Sequence, residues 1–125
     1  MRRTFLAAFA VLALACPGLA RAQNHILIAK AGLHNAFTIS LRTADGRLVR
    51  SIPAGRYTIV VHDYSKLHNF ALGSQTQNRR LITTGIPWIG TRRYTLRLIP
   101  GRYAYACSAH FQTMNGTFVV TPRSS

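Results

Sequence analysis

Cys107, His110 and Met114 fall within eight residues of one another, in the run Cys107-Ser-Ala-His110-Phe-Gln-Thr-Met114-Asn-Gly116. His68-Asn69-Phe70 lies about forty residues upstream. One thiol, two imidazoles and one thioether mix a soft sulfur donor with borderline nitrogens. Two His and a Cys in a plane with a weak axial Met are the ligands of a mononuclear blue-copper centre. Zinc accepts Cys and His too, but its structural sites close with four strong nitrogen or sulfur ligands, and Met is a poor fourth. The thioether therefore favours copper. The expected cofactor is one type 1 copper per chain, held by His68, Cys107, His110 and Met114.

Such a site needs a scaffold that does not rearrange when the metal changes charge. The short spacing places Cys107, His110 and Met114 on one strand-to-strand loop, and His68 has to arrive from the end of another strand. Period-two alternation supplies the strands. Phe37, Ile39 and Leu41 alternate with polar residues, as do Tyr94, Leu96 and Leu98; Tyr57, Ile59 and Val61 alternate with Thr58, Val60 and His62, and Phe118 and Val120 with Thr117, Val119 and Thr121. Residues 26–30 form another candidate strand. Segments with one apolar face predict an all-β, two-sheet antiparallel sandwich of Greek-key type. Asp45-Gly46 reads as a hairpin, and Pro53-Ala-Gly55 and Pro100-Gly101 as turns feeding strands. Tyr105-Ala-Cys107 suggests an immunoglobulin domain only if an earlier Cys partner exists on another strand. None does.

Residues 1–22 read as an export signal: Arg2-Arg3, an apolar run from Phe5 to Ala15, and a small-x-small cut at Ala20-Arg21-Ala22. The pair Arg2-Arg3 fits twin-arginine export, and the very short basic region fits the general secretory route equally. Cys16 lacks the Leu a lipobox wants at position 13, where Ala13 stands. Residues 23–125 are then a single domain in the periplasm or outside the cell, with no segment long enough to span a bilayer. Cys107 is the one thiol left, and a lone thiol makes no internal disulfide. In an oxidising compartment it is a liability unless buried or holding metal. Losing Arg2, Arg3 and Arg21 leaves 13 basic residues against Asp45 and Asp63, a formal +11. That surface favours acidic partners and, more weakly, anionic membrane. The basic residues are dispersed along the chain, so no nucleic-acid footprint is expected.

The chain resembles the small bacterial cupredoxins related to plastocyanin, pseudoazurin, amicyanin and azurin. The resemblance is carried by Val60-Val61-His62-Asp63-Tyr64-Ser65, His68-Asn69-Phe70-Ala71-Leu72, Leu98-Ile-Pro100-Gly101-Arg-Tyr103-Ala-Tyr105-Ala-Cys107 and Met114-Asn-Gly116-Thr-Phe118. It implies that His68, Cys107 and His110 are equatorial ligands and Met114 the axial one. Asn69 then gives its amide to the Cys sulfur while its side chain braces the ligand loop. His110 becomes the electron doorway through an apolar surface patch, with Phe111 either part of that patch or core. The loop departs from the familiar lengths. Three residues separate His110 from Met114, where plastocyanin-like loops have four and amicyanin-like loops two. Azurin-like loops share the three but widen the Cys-to-His gap.

The other histidines carry less. His34 and His62 read as surface or satisfied polar residues, and Trp88 as core packing ahead of a cap on the metal end. If cleavage follows Ala22, Gln23-Asn24-His25 offers an amine, two amides and an imidazole, a square-planar set for Cu(II) or Ni(II). The expected function is one-electron transfer between redox proteins, without enzymatic chemistry. The alternative is copper handling by a store or chaperone. Such proteins favour Met- or His-rich open sites, and Met114 is the single Met left after the signal. A third reading, a basic exported protein on a polyanion, has only the charge behind it.

Overall fold

The structure is a computed structural model that describes residues 24–125 together with Gly18. The export signal, Cys16 and Gln23 lie outside the described residues. Among the described residues nine strands make two layers: β1 (His25–Ala31), β2 (Ile39–Thr43), β3 (Ser51–Pro53), β4 (Gly55–Asp63), β5 (Ala71–Ser74), β6 (Arg79–Thr83), β7 (Gly90–Leu98), β8 (Gly101–Ala106) and β9 (Asn115–Thr121). Their order is β2-β1-β4-β7 in one sheet and β3-β9-β8-β5-β6 in the other. Among the described residues the sole helical element is one 3-10 turn, Leu33–Asn35. None of them forms a helix long and apolar enough to cross a membrane.

The period-two reading predicts where side chains go. Leu27, Ala29 and Ala31 of β1, Tyr57, Ile59 and Val61 of β4, and Phe118 and Val120 of β9 are all buried between the sheets. Tyr103 on β8 stacks on its cross-strand partner Phe118 at 5.2 Å. Its hydroxyl donates to the Ile99 carbonyl at 2.8 Å, so the ring's polar tip is satisfied without leaving the core. The turns also fall as expected. Thr43 and Arg47 close a hairpin around Asp45-Gly46, with Gly46 at φ +92°.

The expected antiparallel sandwich is corrected in one respect: both sheets are mixed. β1 pairs parallel with β4, and β3 with β9. The chain crosses between layers five times, after β2, β3, β4, β6 and β7. These Greek-key-type crossings bring strands together that run the same way. Alternation cannot register this, because a strand's apolar face looks the same whichever direction its neighbour runs. The crossings gather the loops 32–38, 64–70, 84–89 and 107–114 at one pole.

Candidate metal centre

The ligand loop is fixed at its base. β8 and β9 pair as far as Ala106–Asn115, and the Cys107 amide then donates to the Met114 carbonyl at 3.0 Å. Inside that closure the amides of Thr113 and Met114 both donate to the His110 carbonyl, at 3.0 and 2.8 Å. Cys107 and Met114 are wholly buried, and His110 partly. The loop thus puts a thiol and a thioether inward while its middle residue reaches the surface.

His68 arrives from the segment between β4 and β5, as the spacing predicts, and is fully buried. Its Nδ1 lies 3.8 Å from the Cys107 Sγ and 3.1 Å from the His110 Nδ1, whose distance to Sγ is 3.6 Å. The three candidate ligand atoms all lie within 4.8 Å of one another. The other nitrogen of His68, Nε2, faces the Asn35 carbonyl at 3.4 Å. A carbonyl only accepts, so the assigned tautomer has Nε2–H and leaves the Nδ1 lone pair turned inward. Two imidazole nitrogens and a sulfur facing one point, with no carboxylate among them, fit a soft or borderline cation. They fit copper in particular, because trigonal His2Cys is its pattern.

Asn69 is the brace. Its Nδ2 donates to the Thr84 carbonyl at 3.0 Å and to the Ser108 Oγ at 3.1 Å, while its Oδ1 accepts from the Ser108 amide at 2.7 Å. One side chain ties the His68 segment, the end of β6 and the ligand loop. Asn69→Ala should remove three hydrogen bonds, two to the exposed Ser108 and one to the Thr84 carbonyl, which keeps the Thr83 hydroxyl, costing about 2 kcal/mol of stability. It should weaken copper binding by roughly 10–100-fold, which a competition titration measures. Unchanged affinity would show that the loop holds its shape without the brace.

Four contributors were not read from the sequence. Phe37, assigned above to a strand face, precedes β2 and is 60% exposed. Its ring meets both His68 and His110 edge-on at 4.8 Å. Asn35 supplies the carbonyl for His68. Asp63 accepts from the Thr84 hydroxyl at 2.8 Å, and that hydroxyl accepts from the Phe70 amide at 2.8 Å. Burial pushes the Asp63 carboxyl above the usual range, against the Thr84 and Ser65 hydrogen bonds and the nearby His68 that pull it down. Gly32 completes the set at φ +66°, where an added Cβ would lie 2.7 Å from Ser65 Cβ and 3.0 Å from His68 Cδ2. The adjoining turn Gly32-Leu-His-Asn-Ala is the one signal that points to an unusual backbone there.

Phe111 is 62% exposed beside His110, so it is surface rather than core. Phe37, His110 and Phe111 line a hollow of about 500 Å³. Leu33, Leu67, Ile86 and Ile89 are also exposed at this pole. Trp88 is corrected: it is half-buried, packed over Gly90 and under the Arg92 guanidinium at 4.5 Å, outside the core. Gly90 has no side chain, and the indole occupies that space. His62 hydrogen-bonds Thr91 on the outer sheet face, and His34 is exposed in the 3-10 turn. His25 opens β1 in register with Tyr57.

No protein-family model and no curated protein matches the sequence. Solved structures do. Rusticyanin from Thiobacillus ferrooxidans superposes with a TM-score of 0.57 at 17% identity over 77% of this chain and 76% of that one. Reduced rusticyanin gives 0.57 at 20% identity over 77% and 78%. Auracyanin B gives 0.54 at 20% identity over 82% of this chain and 96% of that one. Both are blue-copper cupredoxins. Two mixed sheets with a His-Cys-His-Met-type site at one pole give this chain the cupredoxin fold.

Proposed function

We propose that the protein is an exported one-electron carrier that holds a single type 1 copper at His68, Cys107, His110 and Met114. The observation that carries this reading is the convergence of two Nδ1 atoms and a buried Sγ within 4.8 Å. Copper, when bound there, supplies a one-electron couple. The protein's own part is to keep the donors still. The loop closure at Cys107–Met114, the Asn69 brace and the Asn35 carbonyl each fix one donor, so little reorganisation accompanies a change of charge. His110 alone of the donors reaches the surface, and Phe37 and Phe111 keep water from its exposed edge.

Copper handling fits less well. A store has to release its metal, and here His68, Cys107 and Met114 are fully buried. Partners would meet an apolar contact end. In the four loops that form it, Lys66 is the one charged side chain. The +11 charge is spread over the rest of the molecule and favours redox partners with acidic faces.

The test is reversible voltammetry and electron self-exchange of the copper-loaded mature protein. A reversible one-electron wave with rapid exchange is expected. Copper that binds without a reversible wave would make the protein a store. With an acidic redox partner, the bimolecular rate should fall on the order of 10-fold or more as salt screens the attraction. A rate indifferent to salt would remove the acidic-partner argument.

A further inference from the structure

At the pole opposite the metal centre, roughly 25 Å away along β4, two turns frame a cleft of about 290 Å³. Ala54, Gly55, Arg56, Arg97, Ile99 and Arg123 line it. Arg56 and Arg97 are direct partners across the antiparallel β4–β7 pair. Like charges in that position are destabilising. Arg123 comes from beyond β9 and adds a third guanidinium. It approaches so closely that a Cβ on Gly55 would lie 2.8 Å from its Nη2. The absence of a side chain at Gly55 is what admits it.

The chain has no acid free to balance these charges. It contains two acidic residues. Asp45 pairs with Arg47 at 3.0 Å, and Asp63 is buried at the metal end against Thr84. Three arginines therefore line one cleft with no acidic side chain of the chain to neutralise them. Guanidinium forks suit planar or tetrahedral oxyanions, and each presents several fixed N–H donors. A carboxylate offers two oxygens in one plane, whereas a phosphoryl group offers more oxygens to donors carried by β4, β7 and the segment after β9.

We infer that this cleft binds a phosphoryl oxyanion. The source is either inorganic phosphate or the phosphomonoester headgroup of a lipid. The site is independent of the metal centre, and a lipid held there would leave the His110 end facing away from the surface.

The test is titration of the full mature protein with inorganic phosphate at constant ionic strength, followed by amide NMR. Saturable shifts at Gly55 and Ile99 are expected, weakened about 10-fold by Arg56→Gln or Arg97→Gln. Arg93→Gln, on the same sheet but outside the cleft, should bind as the parent does. Shifts that never saturate, or an equal loss in Arg93→Gln, would mean diffuse charge and overturn the site. Sedimentation with phosphatidic acid vesicles then separates the sources. Binding that is lost in Arg97→Gln and competed by phosphate supports the lipid headgroup. Phosphate binding without vesicle binding supports the free anion.

Discussion

Cys107→Ala should abolish the intense visible absorption of the copper-loaded protein and widen its narrow copper hyperfine splitting to that of ordinary Cu(II). Both signatures come from covalency between copper and a thiolate, and Cys107 is the one free cysteine among the described residues. Its sulfur lies 3.8 and 3.6 Å from the two imidazole nitrogens, so no other side chain can take its place at that distance. Alanine is also buried without strain, so the fold should survive and the change be read as a loss of the ligand alone. Met114→Leu is the informative companion. The axial thioether is a weak ligand that tunes potential, so the band should persist while the potential moves. Cu(II) spectra that are pale in the parent and unchanged by Cys107→Ala would show that the thiol does not bind the metal. The carrier reading would then fall.

Gly116→Val should destabilise the protein by about 3 kcal/mol through overpacking. For a domain of this size that lowers Tm on the order of 15 °C. Gly116 pairs directly with Tyr105 across β8 and β9, and the ring lies over the glycine. An added Cβ would collide with the ring, coming within 2.8 Å of Cε2 and nearer still to the hydroxyl end. The ring has nowhere to retreat, because Tyr105 is 4% exposed and stacks at 5.7 Å on Phe70, which is fully buried. Phe70 adjoins Asn69, so displacement would reach the brace of the ligand loop and copper affinity should fall as well. Shortening the obstacle tests the cause. In the Gly116→Val background, Tyr105→Leu should cost far less than it does alone, a coupling seen in a double-mutant cycle. Additive costs would place the defect elsewhere.

Much of this centre is local, and that is why it was legible. Cys107, His110 and Met114 are joined by a short loop, so their spacing already limits where their side chains meet. Strand faces are equally local, since alternation is a property of each strand by itself. What escaped depends on the crossings. Phe37 continues the alternation of Ile39 and Leu41, yet the chain leaves the strand before it, and its ring finds the two imidazoles instead. Asn35 acts through its carbonyl, which every residue possesses, so its identity carries no signal. The link from Asp63 through Thr84 to Phe70 joins three segments that only folding brings together. By type a lone Trp such as Trp88 belongs in the core, whereas a glycine two residues on gives it a place outside.

The wiring of the first and last strands has a practical consequence for orientation. β1 runs from His25 toward the metal pole in parallel with β4, so the chain enters at the far pole. β9 starts beside Met114 and runs away from it, ending with Thr121 next to Pro53 at that same far pole. A linker fused to either strand therefore leaves from the end farthest from His110. Anchored to an electrode by such a linker, the molecule would stand with its apolar end toward solution, and wiring it metal-side down would require an attachment point engineered within the loops themselves.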